Sequence, residues 1–252
     1  MKYFVEEKSI VRQIWGKSDT VLFIFAGAAA EFALNKAVDW LYYTGRLPKD
    51  PLGRLFSTVS YSKKILFARY DDALKIIDSI TFIHKGVENT RGKTIPDWAY
   101  RDVLFMLIHY SIASFEVLER KLTLSEKEDV FDVFYRFGKR MNLTGLPGNY
   151  TEWLAVRKYD LEHDLEKSDY SVDLYKQYKK HLGRFRYRVL IEGQIIIVPE
   201  NVRQLLQLRK FSFLKLVLPF YKLSRLFRLD ALIKTLILPA KYKEEIKAMD
   251  IV

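Results

Sequence analysis

The amino-acid sequence predicts an all-α protein, because helix-start signals and apolar residues at helical spacing recur along nearly the whole chain. Residues 195–198 are the only run that could form a strand, and they are equally consistent with the end of a buried helix. The sequence contains no internal repeat and no linker rich in glycine, serine or proline. We therefore expect a single domain over residues 1–252.

The first two long helices are predicted from their N-terminal signals. Asp19 is expected to cap a helix that continues to about Gly45. Asp50 followed by Pro51 forms an N-cap and N1 pair, because proline at N1 has no amide hydrogen to leave unpaired. This pair predicts a second helix that begins at Pro51.

The next two helices are each predicted to carry a histidine on an apolar face. Asp71 is expected to open the third helix, which ends at Gly86 and places His84 in line with isoleucines and a leucine. The fourth helix, over residues 96–120, carries His109 in the same way. Taken alone, either side chain is most simply a core histidine.

Further helices are predicted in the C-terminal half. Ser125 and Glu128 have the spacing of a capping box, and another helix begins near Thr151. Beyond residue 199, short amphipathic segments are expected, interrupted at Pro219 and Pro239.

Charge is distributed unevenly along the chain. The sequence has 42 basic and 31 acidic side chains, a net charge of +11. Residues 176–252 contain 17 of the basic and 6 of the acidic ones, so this basic amphipathic portion carries the whole excess. Such an excess predicts an anionic partner. Tyr178, Phe185 and Tyr187 alternate with cations there, but no nucleic-acid motif accompanies them, and we expect no nucleic-acid partner.

Composition excludes several classes of site. The absence of cysteine excludes a disulfide framework, a zinc ribbon, an iron–sulfur cluster and a cysteine nucleophile. The longest stretches without Lys, Arg, Asp or Glu, residues 20–30 and 103–115, are too short to span a bilayer. We expect a cytoplasmic protein, with peripheral attachment to the inner face of a membrane left open. The polar residues 162–164 are interpreted as a solvated helix surface.

A series of short motifs carries more specific information. Asp-Pro-Leu-Gly-Arg-Leu-Phe-Ser-Thr at residues 50–58 is followed by Ile-His-Lys-Gly-Val at 83–87 and Ile-His at 108–109. This ordered series resembles the family of MpaB-type oxygenases and latex-clearing proteins (rubber oxygenases). That family has an Asp-Pro-x-Gly-Arg-Leu-x-x-Thr helix, a His-x-x-Val-x-Gly helix end and a Val-His helix in the same order. The resemblance covers about residues 9–165.

The resemblance implies a single globin-like helical domain with additional helices, which holds b-type haem through one proximal histidine. His84 matches that histidine and is the expected iron ligand. Arg54 and Thr58 match distal-pocket residues of the latex-clearing branch and are the expected catalytic pair, with Arg54 also beside the cofactor. Ser57 stands where that branch has a lysine, and is assigned to the cofactor pocket. His109 is assigned there too, although a core position fits it as well.

The chemistry suits these residue types. Neutral imidazole ligates haem iron, while distal donors and pocket polarity decide how dioxygen reacts. A guanidinium stabilises negative charge that develops during the reaction, and a nearby hydroxyl relays a proton. Latex-clearing proteins also have a distal glutamate proposed as a base, and the nearest acid here is Asp39.

The implied function is a haem b-dependent oxygenase that uses dioxygen on a lipophilic substrate, with oxidative cleavage of a carbon–carbon double bond in a prenyl or other alkenyl chain. The alternative is a non-catalytic helical protein that keeps the fold and binds lipid or haem. The alternative is suggested by two departures from the family pattern: residues 34–36 replace a frequent His-Pro, and Leu107 replaces a frequent tryptophan.

The residue pattern of the basic C-terminal portion allows a further interpretation, as a membrane-binding helix. Bulky apolar residues between 211 and 227 alternate with cations, which are Lys210, Lys215, Lys222, Arg225 and Arg228. This pattern is typical of interfacial helices that lie on anionic membranes. The alternative is a helix that packs on the core and exposes a basic face.

Overall fold

The structure is a computed structural model that describes residues 2–45 and 49–227. Within these ranges the chain forms helices, and its only β-type pairings are two isolated bridges, so the predicted all-α class is confirmed. The helices are α1 (Ile10–Trp15), α2 (Ser18–Phe32), α3 (Asp39–Tyr43), α4 (Pro51–Leu66), α5 (Tyr70–Arg91), α6 (Asp97–Leu118), α7 (Leu124–Arg140), α8 (Tyr150–His163), α9 (Asp169–Ile197), α10 (Glu200–Leu205) and α11 (Leu214–Leu226). The globin-like arrangement stays a prediction.

Two central helices, α2 and α6, pack along each other, with α9 against α2 and α7 against α6. Both are apolar or small on most of their surface, which is typical of helices buried in a core. Gly27 of α2 lies directly under the ring of Tyr110 of α6, and a Cβ atom there would lie 2.2 Å from that ring. The glycine therefore allows the two helices to approach closely.

Helices α4 and α5 form an antiparallel pair joined by three residues. The predicted N-cap of α4 is confirmed, because the Asp50 side chain accepts a hydrogen bond of 3.0 Å from the amide of Gly53. In α5, Ala73 and Ile77 near the start are the buried residues. Helix α5 is thus buried in the core only near its start, whereas α4 has buried residues from Leu52 to Leu66.

The predicted end of the third helix at Gly86 is wrong. Helix α5 continues to Arg91 and ends at Gly92, which has the left-handed φ of +68° and donates its amide to the Glu88 carbonyl. Gly86 is a solvent-exposed interior position, where glycine costs only about 0.5–1 kcal/mol relative to alanine. A glycine that the helix tolerates cannot be told from a terminator by spacing alone.

The first predicted helix is also wrong at both ends. Helix α2 starts at Ser18, and Asp19 lies in its first turn, where its carboxylate accepts from the Tyr221 hydroxyl at 3.1 Å. The helix ends at Phe32 because the following backbone pairs with the chain after α8. The Lys36 amide donates to the Asp164 carbonyl at 3.0 Å, and the Glu166 amide donates to the Leu34 carbonyl at 2.8 Å.

The predicted capping box was placed two residues too late. Thr123 and Glu126 form it, since each side chain accepts a hydrogen bond from the other residue's amide. Glu128 instead accepts from the amide of Tyr150, at 3.1 Å, at the start of α8. The predicted and the observed capping boxes have the same residue spacing. The long-range bond between Tyr150 and Glu128 explains why the predicted one does not form.

The C-terminal third is helical as far as the structure describes it. The strand alternative for residues 195–198 is wrong, because α9 extends to Ile197. Pro219 lies inside α11 and does not interrupt it, whereas Pro239 lies outside the described residues. None of the helices in the described ranges is both long and apolar enough to cross a membrane.

Alanine at Gly27 and at Gly86 should change the free energy of unfolding in opposite directions. Gly27→Ala forces a methyl group into the Tyr110 ring and should lower it by about 1–3 kcal/mol. Gly86→Ala meets nothing within 4 Å and should raise it by about 0.5–1 kcal/mol. Urea unfolding followed by circular dichroism measures both. Equal midpoints for Gly27→Ala and the wild type would contradict the close packing of α2 on α6.

Candidate functional site

Arg54 and Thr58 form a hydrogen-bonded pair on α4. The Arg54 guanidinium donates to Thr58 Oγ1 at 3.0 Å, and that hydroxyl donates to the Arg54 backbone carbonyl at 3.2 Å. Both side chains are half-buried. The hydroxyl therefore restricts where the guanidinium points, and the i, i+4 spacing on one helix face explains why they meet.

His84 lies on α5, the helix that packs against α4. Its Nδ1 atom is buried and has no hydrogen-bond partner among the described residues. Burial lowers the pKa of His84, and the positive charge of Arg54 lowers it further against the opposing charge of Glu88. At neutral pH the ring is therefore an uncharged imidazole, which is the form that ligates metals.

Two residues that the sequence did not single out lie around the imidazole: Tyr100 against its ring, and Glu88, which acts on it through its charge. The Tyr100 ring lies against the His84 ring, with 5.2 Å between the ring centroids. The Tyr100 hydroxyl donates to Glu88 Oε1 at 3.4 Å, and the same oxygen accepts from the Ile95 amide at 2.8 Å. Glu88 lies one turn after His84 on the same helix, so its proximity could have been predicted from the spacing. Tyr100 comes from the next helix, and its proximity could not.

The second half of α5 presents apolar side chains that the described protein leaves uncovered. Beyond Ile77 this described helix contains no buried residue, although apolar positions continue towards its end. Phe82 is 78% exposed and Ile83 is 45% exposed; both directly precede His84, and Phe82, two residues before it, lies on a different helix face from the imidazole. The two cavities described, of about 420 and 340 Å³, lie elsewhere and include neither His84 nor Arg54. The candidate site thus combines a half-buried imidazole on α5 with the half-buried Arg54–Thr58 pair on α4.

His109 is not brought together with these residues. Its ring hydrogen-bonds to the backbone of Ile197, and its described charged neighbour is Arg157. Burial and the Arg157 charge lower the pKa of His109 to about 3, so it is neutral. It has no described partner in common with His84, and its assignment to the cofactor stays a prediction.

Two further candidates are placed as follows. Ser57 is exposed on α4, and its assignment to the cofactor pocket also stays a prediction. Asp39, the nearest acid in the sequence, forms an ion pair with Arg91 in which Nη2 lies 2.6 Å from Oδ2. Arg91 also lies over the Trp40 ring, 4.1 Å from its centroid. This pairing makes Asp39 a structural residue that joins α3 to the end of α5.

Comparison with known proteins adds one finding. A family model described as "ER-bound oxygenase mpaB/B'/Rubber oxygenase, catalytic domain" matches residues 13–229, well over half of the chain. The match includes α2 to α11 and therefore every candidate residue above. No curated protein matches the chain, and no solved structure does.

Proposed function

The chain belongs to the mpaB and rubber oxygenase family of oxygenase catalytic domains, and from that premise we propose that it is a haem b-dependent oxygenase acting on a lipophilic substrate with dioxygen. The observation that carries the proposal is the uncharged, half-buried imidazole of His84 with an unpartnered nitrogen, on the helix that packs against the Arg54–Thr58 pair.

The residues present fit a b-type haem. The His84 imidazole is uncharged, which is the form that ligates iron, and its Nδ1 has no described hydrogen-bond partner, so this hydrogen-bonding capacity is still unused. Ile80 and Val87, one turn before and after His84 on the same helix face, are half-buried and offer contact for a flat, largely apolar macrocycle. The charge of Arg54 already acts on the imidazole, so this cation belongs to the same electrostatic environment.

Bound haem supplies the redox chemistry that activates dioxygen. In this chain, His84 holds the cofactor through its imidazole, and Tyr100 restrains the ring. Arg54 stabilises negative charge that develops in the transition state, because its guanidinium is already oriented by Thr58. Thr58 Oγ1 accepts a hydrogen bond from that guanidinium and donates its own proton to the Arg54 carbonyl, so its role is to orient Arg54.

The substrate class follows from the character of the surface. The half-buried Ile80 and Val87, one turn before and after His84 on its helix face, favour a hydrocarbon chain over a polar molecule. Oxidative cleavage of a carbon–carbon double bond in a prenyl or other alkenyl chain is the reaction that we propose. The alternative, a non-catalytic lipid- or haem-binding protein, is favoured by Ser57, since the side chain at the position of the family's distal lysine is short and exposed.

Haem reconstitution tests the ligand assignment. The wild-type protein titrated with haemin should develop a Soret band with one equivalent per chain, and His84→Ala should lose it. His163→Ala is the matched control, because His163 is exposed and its Nδ1 bonds the Tyr159 carbonyl one turn away on α8. A Soret band of equal intensity in His84→Ala, or none in the wild type, would overturn the assignment.

Turnover tests the roles of Arg54 and Thr58. With detergent-dispersed squalene as a polyprenyl probe, Arg54→Ala should lower dioxygen consumption about 10²–10³-fold while leaving the Soret band, because one preorganised donor is lost. Thr58→Val should lower it less, since it removes only the group that orients Arg54. Arg136→Ala, on α7, is the control. A haem-loaded wild type that consumes no dioxygen and forms no carbonyl products would favour the non-catalytic alternative.

We further propose that α11 docks the protein on an anionic membrane where such a substrate is dissolved. One face of this helix exposes apolar side chains at i, i+3, i+4 and i+7 spacing, namely Phe213 (60% exposed), Leu216 (60%), Val217 (52%) and Phe220 (73%). A helix that only packs on the core would turn such a stripe inward, so the stripe supports an interfacial role.

The opposite face of α11 is attached to the rest of the protein. Tyr221 bonds Asp19, and Arg225 Nη2 lies 2.6 Å from Glu119 Oε1. Arg225 is therefore engaged inward and is not one of the cations left for a membrane, while Arg228 lies outside the described residues. Lys210 and Lys215 are exposed and remain available to anionic headgroups.

Tyr178 is 6% exposed, which removes one of the three aromatic side chains considered for nucleic-acid stacking.

Liposome flotation with phosphatidylcholine and phosphatidylglycerol vesicles tests the docking. Phe220→Ala should reduce the floated fraction several-fold, because it removes the most exposed side chain of the stripe. Phe82→Ala is the matched control, since Phe82 is equally exposed (78%) but lies on α5. Equal flotation of both variants and the wild type would contradict the proposal, and concentration-dependent dimerisation abolished by Phe220→Ala would point to a protein partner instead.

A further inference from the structure

Three carboxylates converge where α6, α8 and the chain after α2 meet, away from the candidate haem site. They belong to Asp102 of α6, Asp160 of α8 and Asp164 at the C-cap of α8. One oxygen from each lies within 4.8 Å of the others. The sequence reasoning interpreted residues 162–164 as a solvated surface, which is wrong for Asp164, a half-buried residue.

Two of these carboxylates are buried without enough partners. Asp102 is 2% exposed and Asp160 is 4% exposed. Asp102 Oδ2 accepts a 2.6 Å hydrogen bond from the Asn35 amide, but Asp102 Oδ1 and Asp160 Oδ2 have no partner among the described residues. A buried carboxylate oxygen without a donor carries a large desolvation cost, so unsatisfied oxygens in one cluster indicate a missing positive group.

The cationic side chains described nearby do not hydrogen-bond to these two unsatisfied oxygens. Arg157 is committed to Glu31, with which it makes two hydrogen bonds of 2.6 and 2.5 Å. Lys36 Nζ donates to the His163 carbonyl at 2.6 Å, and Arg101 Nη1 donates to the Thr144 carbonyl at 3.1 Å. Their charges lower the pKa values of Asp160 and Asp164, yet burial and the neighbouring carboxylates raise the pKa of Asp160 to about 6. Burial, with the charges of Asp164 and Asp160, raises the pKa of Asp102 to about 8.

We propose that Asp102, Asp160 and Asp164 bind one Ca²⁺ ion. Carboxylate oxygens are the ligands that hard divalent cations prefer, and the three oxygens lie within 4.8 Å of one another, close enough to share one ion. Ca²⁺ accepts irregular coordination at about 2.3–2.6 Å, whereas Mg²⁺ demands near-ideal octahedral geometry at about 2.0–2.1 Å and keeps several waters, which suits a buried cluster of three side chains less well.

The ion has a structural role, because it connects three parts of the fold. The Asp164 backbone carbonyl already accepts from Lys36, and Asn35 bonds Asp102, so the cluster joins the end of α2 to α6 and α8. Binding to the folded state alone stabilises it by mass action. The site is independent of haem, and its test therefore stands or falls separately from the proposed oxygenase function.

Thermal unfolding of the full chain, first treated with EDTA and dialysed, tests the site. Adding CaCl₂ should raise the wild-type Tm saturably, by roughly 5 °C or more at high occupancy, with less effect from MgCl₂. Asp160→Asn and Asp164→Asn should lose most of this rise. Asp132→Asn is the matched control, because Asp132 is an exposed acid on α7 that only pairs with Arg136, and it should keep the full rise.

Asp164 is half-buried, so its variant keeps the test valid if Asp160→Asn fails to fold. Calcium titration calorimetry should give one site in the wild type and none in Asp164→Asn. The proposal is overturned if CaCl₂ leaves the wild-type Tm unchanged, or if all three variants show the same rise. A rise as large with MgCl₂ would overturn the assignment to calcium.

Discussion

The packing of the helices depends on one buried ion pair, between Glu31 of α2 and Arg157 of α8. Their side chains are 0% and 4% exposed, and Tyr110 of α6 donates a third hydrogen bond, 2.8 Å long, to the same carboxylate. Removing one partner from such a pair costs about 3–5 kcal/mol because the other charge is left buried. Three helices therefore have a fixed mutual register, and Gly27, one turn before Glu31, provides the space that Tyr110 needs.

The α4–α5 pair lies outside this network, and that separation gives it a different character. In α4 buried residues extend from Leu52 to Leu66, so the helix that carries Arg54 is held against the core along its length. In α5 the buried residues, Ala73 and Ile77, lie near the start, so the part of the helix that carries His84 is less covered and has room for a bound group. A cofactor held there costs little reorganisation of the α2–α6–α8 core, which is why a site of this kind fits at this place.

The sequence predicted features that depend on residues within one helical turn. It did not predict features that depend on residues far apart in the chain. The Asp50–Pro51 cap and the Arg54–Thr58 contact depend on residues within one turn, and both are present. Glu128 was assigned to a cap because its spacing is right, but the Tyr150 amide, 22 residues away, takes it. Periodicity shows which face of a helix a side chain occupies, and it does not show which segment packs against that face. The cluster at Asp102 could not be predicted for this reason.

The interpretation of the charge excess in the C-terminal portion also depends on which residues pack together. Arg209 and Arg203 pair with Glu192 and Glu200, two of the six acids that the portion itself contains, so these pairs leave its excess of +11 unchanged. Arg225 pairs with Glu119, outside the portion, and this pair does reduce the charge left for a partner. What faces outward on α11 is an apolar stripe, and burial of apolar area contributes more to interfacial binding than a few screened cations do. In the proposed docking, the attraction to a membrane therefore rests mainly on the phenylalanines, with the exposed lysines orienting the helix at the headgroups.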